Sequence, residues 1–136
     1  MAGRFIAFVL FAFLLTSGCS HSDTDKSEII QTLSIRANAL NSRDLSSYFS
    51  VISLQFNDKG KDFSQLKKDL EKNFSDFKQI SYEAGTPAIT ISGASAKTVG
   101  NYRMKVLVRG KEIALNGIEH IQLAKEPGGW KIIAGI

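Results

Sequence analysis

The chain opens on an apolar block and then changes its period twice. Phe5 to Leu15 (FIAFVLFAFLL) carries no polar side chain, whereas Ser20 to Lys26 (SHSDTDK) is wholly small, polar or charged. From there Ile29, Ile30, Leu33, Ala37 and Leu40 recur at helical spacing, with Gln31, Arg36 and Asn38 assigned to the opposite, solvent side. Asp25-Lys26-Ser27-Glu28 has the form of a capping box, so the first helix is expected to start there and to end at Asn41-Ser42. A shorter helix follows over Asp44 to Phe49. A third, capped by Asp62 or Ser64, sets Leu66, Leu70 and Phe74 on one face against a mixed-charge face. Asn57-Asp58-Lys59-Gly60 between them is a turn signal.

Beyond Phe77 the period falls to two. Lys78 to Tyr82 and Ala88 to Ser92 read as strands, and Tyr102, Met104, Val106 and Val108 mark one face of a longer one. Arg109-Gly110-Lys111 turns the chain into a long strand over Glu112 to Ala124. Asn116-Gly117 interrupts its alternation, which predicts a bulge or sharp bend. Glu126 to Gly129 turns once more into a last strand from Trp130 to Ile136. Three helices ahead of long antiparallel hairpins make an α+β layout with helices on one face of the sheet. Phe49, Phe56, Phe63, Phe74 and Phe77 are the candidate aromatic core between the layers.

Composition narrows the classes. At 136 residues the chain has room for one core and not for two. A single Cys excludes an internal disulfide or a multi-cysteine metal site, and two His make a His-rich metal site improbable. No metal or cofactor is expected. The formal charge of +4 is dispersed. Lys67, Lys68 and Lys72 are balanced by Asp69 and Glu71, so nucleic acid is not expected as a partner. No phosphate-binding loop, dinucleotide fingerprint, nucleophile elbow or zinc-protease motif occurs.

The amino terminus carries the most specific signal. Met1 to Arg4 is short and basic, and the eleven apolar residues after it rise about 16 Å as a helix, roughly half a bilayer core. That is the anatomy of a secretory signal. Leu15-Thr16-Ser17-Gly18-Cys19 resembles the bacterial lipoprotein signal, with Thr16 at a position where Leu is commonest. The resemblance implies cleavage after residue 18 and acylation of the Cys19 thiol. Residues 19–26 are then the lipidated cysteine and a tether reaching about 25 Å at most. Ser20 after the cysteine is similar to lipoproteins sent to the outer membrane, facing the periplasm. The expected partner through Cys19 is therefore the membrane itself.

Residues 27–136 resemble the nuclear transport factor 2-like superfamily. The resemblance rests on Ala39-Leu40-Asn41-Ser42-Arg43-Asp44-Leu45, on Ser92-Gly93-Ala94-Ser95-Ala96 ahead of a long strand, and on the closing Gly128-Gly129-Trp130-Lys131-Ile132. It implies a cone in which three N-terminal helices pack on a strongly curved, mainly antiparallel sheet, with a pocket at the wide end and dimerisation through the sheet. The fold hosts isomerases, dehydratases and silent binding domains, so it does not choose the function.

Candidate chemistry is thin. His120 is the one histidine of the folded part and the weak catalytic candidate. Its neighbour Glu119 points to the other face of a regular strand, so the two cannot act as a dyad. Glu119 itself, beside Ile118 and close to Gly117, reads as a solvated residue. Tyr48, Phe49, Tyr82, Tyr102 and Trp130 are the candidates to line a pocket, against the plainer role of filling the core. The expectation is a non-enzymatic binding or assembly module that takes a small apolar ligand or an envelope protein. The alternative is a small lyase or isomerase for a hydrophobic, carbonyl-bearing substrate, with His120 or a tyrosine moving the proton.

Overall fold

Helix α1 (Ser20–Ser42) runs the length of the domain and carries its first buried stripe. The computed structural model describes residues 20–136, so the apolar block, the signal and Cys19 lie outside the described residues. The helix begins ahead of the capping box, and residues 20–26 form its first turns. The stretch expected as a tether is therefore helical from Ser20 onward. Asp25 supplies the reason, because its carboxylate accepts from Lys125 Nζ at 2.6 Å and Trp130 Nε1 at 3.1 Å, holding the helix start against the sheet. Ile29, Thr32, Arg36, Ala39 and Leu40 make the buried stripe. Arg36 therefore belongs to the core face and not to the solvent face expected for it.

The helix stops at Arg43, which adopts a left-handed φ of 53°. Asp44 then caps α2 (Leu45–Ser50) by accepting from the Ser47 N–H at 3.1 Å. The turn signal at Asn57–Gly60 becomes a two-stranded hairpin, β1 (Asn57–Asp58) and β2 (Lys61–Asp62). Asp62 caps α3 (Phe63–Asp76), its carboxylate taking the Gln65 N–H at 2.8 Å, and Leu66, Leu70 and Phe74 face inward. Asp62→Ala is expected to cost about 1 kcal/mol, the usual worth of such a cap, read as a lower urea midpoint at unchanged slope.

The sheet comprises β3 (Phe77–Ala84), β4 (Ala88–Ser92), β5 (Ser95–Val108), β6 (Lys111–Glu126) and β7 (Gly129–Ala134). Its order is β3-β5-β6-β7, with β4 also on β5, and it curls around α1. β5 and β6 pair without a slip from Ser95↔Ala124 to Val108↔Lys111. The bulge expected at Asn116-Gly117 is absent, and the irregularities fall at Phe77/Gln79 and Gln122/Leu123. Gly117 has a packing reason instead. It pairs with Tyr102, and a Cβ there would sit 3.3 Å from that ring. The handover from β3 to β4 along β5 occurs across Gly85-Thr86-Pro87, opposite Gly100 and Asn101.

Parity follows from that register. Even positions of β5 (Ala96, Thr98, Val106) and odd positions of β6 (Ile121, Leu123) face the helices. Trp130, Phe56, Ile29, Leu123 and Ile132 are the largest fully buried apolar side chains, and they bring α1, the segment after α2, β6 and β7 into one core. Phe74 joins them, while Phe49, Phe63 and Phe77 are half-buried at the margin.

Candidate functional site

A cavity of about 360 Å³ lies between α1 and the concave face of the sheet. Leu33 and Ala37 of α1 and Ile121 of β6 form apolar walls, while Arg36, Tyr82 and Glu119 bring the charge and the hydroxyl. Each is delivered by the geometry above. Arg36 lies four residues after Thr32 in the buried stripe of α1. Glu119 is one of the inward, odd positions of β6, two residues before Ile121. Tyr82 sits on β3 and is locked by Asn41. The Asn41 side chain donates to the Tyr82 carbonyl at 3.0 Å and accepts the Tyr82 N–H at 2.6 Å.

The three side chains form one network. Arg36 Nη1 donates to Tyr82 Oη at 3.1 Å and approaches the Glu119 carboxylate at 3.3 and 3.4 Å. Tyr82 Oη in turn donates to Glu119 Oε1. The guanidinium carbon lies 5.2 Å from the centroid of the Tyr82 ring, and Tyr102 stacks on that ring at 6.2 Å. Burial pushes the Tyr82 hydroxyl up to about 12, with Arg36 opposing and Glu119 reinforcing the shift, so the phenol stays protonated. For Arg36, burial acts against the charge, but the oxygens of Tyr48, Glu119 and Tyr82 outweigh it and hold its pKa above the usual value.

One donor is left over. Arg36 Nε is buried and has no hydrogen-bond partner among the described residues. A buried N–H of this kind costs free energy on the order of 1–3 kcal/mol unless water or a ligand accepts it. A second cavity of about 560 Å³ borders the same three side chains and extends past Tyr102 and Met104 to the carboxyl-terminal Gly135 and Ile136.

The expected site residues divide. Tyr82 and Tyr102 border the cavities. Tyr48, Phe49 and Trp130 serve packing: Phe49 makes edge-on contacts with Tyr48 and Phe63, and Trp130 is buried under α1. His120 is exposed on the outward parity of β6, so its side chain does not line the inside of the cone, and it meets the second cavity where its backbone runs beside Gly135. Arg36 and Glu119 are the residues that sequence reasoning missed. Their signal was present in the spacing, since residues 29, 32, 36 and 40 share a helix face and 117, 119, 121 and 123 share a strand face. Among the described residues no three His, Cys, Asp or Glu side chains gather as a metal-ligand set.

No family model and no curated protein matches the chain. Solved structures do resemble it. A nuclear transport factor 2-like superfamily protein from Salmonella enterica serovar Typhimurium superposes with a TM-score of 0.75 at 20% identity, covering 83% of this chain and 89% of that one. A protein from Streptomyces avermitilis, described as a candidate dehydratase of that family, gives 0.73 at 10% identity over 82% and 93%. A candidate scytalone dehydratase from Novosphingobium aromaticivorans gives 0.76 at 14% identity over 83% and 82%. Likeness at this level of identity concerns the fold and leaves the activity open.

Proposed function

We propose that this chain, a nuclear transport factor 2-like cone, is a lipid-anchored protein of the bacterial envelope that captures a small ligand inside the cone without transforming it. The observation that carries the binding reading is the cavity itself, apolar-walled and bordered by the buried Arg36 guanidinium. Binding rather than turnover is favoured because Glu119 is held by two donors and Tyr82 by both an acid and a base partner. Neither is free to act as a general base. The anchoring reading rests on the residues around Cys19, and α1 starting at Ser20 would bring the domain close to the bilayer surface.

The test is native mass spectrometry of the full protein isolated from its own host's envelope. The expected result is a polypeptide that begins at an acylated Cys19 and carries a second, non-covalent mass. Replacing Cys19 by Ala is expected to move the protein from the membrane fraction to the soluble one. An unacylated chain would remove the anchoring reading, and a domain found empty in every preparation would remove the ligand reading.

A further inference from the structure

Half of β6 lacks a neighbour on one side. Among the described residues β7 pairs with β6 only from Gln122 to Glu126, so Lys111 to Ile118 has β5 on one side and no strand on the other. Native sheets protect such an edge with a bulge, a proline or a charge. This stretch pairs with β5 without a slip, and Ile113 to Ile118 contains neither proline nor charge. Ile113 and Leu115 share the inner parity of β6, yet they are 45% and 46% exposed.

The turn at its start sets the phase of the backbone. Arg109 and Gly110, with φ of 51° and 75°, form a two-residue turn that closes on Val108↔Lys111 as a hydrogen-bonded pair. Odd positions of β6 therefore bond to β5. Glu112, Ala114, Asn116 and Ile118 direct their N–H and C=O groups along the free edge, where they offer an unfilled ladder.

We propose that this edge pairs antiparallel with the same edge of a second copy, Ala114 lying opposite the partner's Ala114. Two identical edges related by a two-fold axis make a closed contact. Even positions must then face even positions, and side chains choose among the registers left. Centring on Lys111 or Glu112 sets like charges face to face. Centring on Ile113 sets Leu115 against the partner's Lys111, and centring on Leu115 sets Ile113 against the partner's Gly117, which has no side chain. Centring on Asn116 brings Glu112 to the partner's His120, where Gly135 already lies against the carbonyl. Centring on Ala114 sets Ile113 against the partner's Leu115 on both sides of the axis. It also sets Glu112 against the partner's Asn116, whose amide can donate to it. One sheet then runs through both copies. The contact is edge to edge, leaves the outer face of the sheet uncovered, and stands whether or not the cone holds a ligand.

The test is disulfide trapping in the full protein, with the parent, whose one cysteine is Cys19, setting the background. Ala114→Cys is expected to give a cross-linked dimer in most chains under mild oxidation. Its Cα would lie about 5.5 Å from its partner in the ladder, within disulfide reach. Ile113→Cys and Leu115→Cys, each alone, are expected to stay at background, because like positions are then two residues out of step. The two combined are expected to link as Ala114→Cys does. Leu115→Lys is expected to weaken the dimer at least tenfold in sedimentation, with the circular dichroism spectrum unchanged. Strong linking by Asn101→Cys, on the outer face of β5, would overturn the proposal by moving the contact to that face. Strong linking by Ile113→Cys or Leu115→Cys alone would overturn the register. A protein that sediments as a monomer and links at none of these positions would overturn the pairing altogether.

Discussion

Glu119→Ala is expected to destabilise the domain by about 3–5 kcal/mol, the usual cost of breaking a buried ion pair from one side. The side chains of Arg36 and Glu119 are only 9% and 15% exposed, so the pair is largely shielded from bulk water. The damage comes from what is left behind. Arg36 keeps its charge, loses its counterion and is left with neutral phenol oxygens, Tyr82 Oη at 3.1 Å among them. For a domain of this size the loss corresponds to roughly 10–20 °C in Tm. The double variant Arg36→Met with Glu119→Leu removes both charges together and is expected to recover most of that loss. Urea denaturation of the two proteins and the parent checks the claim. A loss under about 1 kcal/mol for Glu119→Ala would mean that the pair behaves as a surface pair.

Trp130→Ala is expected to cost a similar amount, about 3–5 kcal/mol, for a different reason. The indole is 2% exposed and lies where α1 meets β7, with the Thr32 hydroxyl donating to its own carbonyl at 3.0 Å. Truncation opens a cavity between first and last elements that neither can collapse to fill, because each is fixed elsewhere along its length. Trp130→Phe separates the ring from its N–H. It keeps most of the volume but drops the bond to Asp25 at 3.1 Å, and is expected to fall well short of the alanine loss. Equal losses for Phe and Ala would show that the N–H, and not the packing, carries the joint.

Much of the architecture was legible because periodicity is a local property. The buried faces of α3 and β5 and the hairpin at Arg109-Gly110 are all visible in the spacing of apolar residues and turn formers. What failed depended on partners far away in the chain. The start of α1 was read from its capping box with Asp25 as the cap, but Asp25 lies inside the helix and its carboxylate is taken by Lys125 and Trp130, about a hundred positions later. Gly117 was read as a break in a strand, whereas its missing side chain makes room for the ring of Tyr102 on the neighbouring strand. Arg36 and Glu119 each looked like a surface charge when taken singly. Each is tolerable inside only because the other is there, and a separation of 83 residues hides that dependence from any local pattern.

The contact between Thr32 and Trp130 spans 98 residues and so sets an order of events for the growing chain. β5 and β6 can zip locally from the turn at Arg109-Gly110, without waiting for anything else. α1 cannot finish in that way. Its inner face mixes Ile29 with Thr32 and Arg36, a poor surface for a helix standing alone, and the cover over its first half includes β7, which follows every other strand in the order described. A polypeptide interrupted before Trp130 has the zipped hairpin but lacks the contacts of that residue with Thr32 and Asp25.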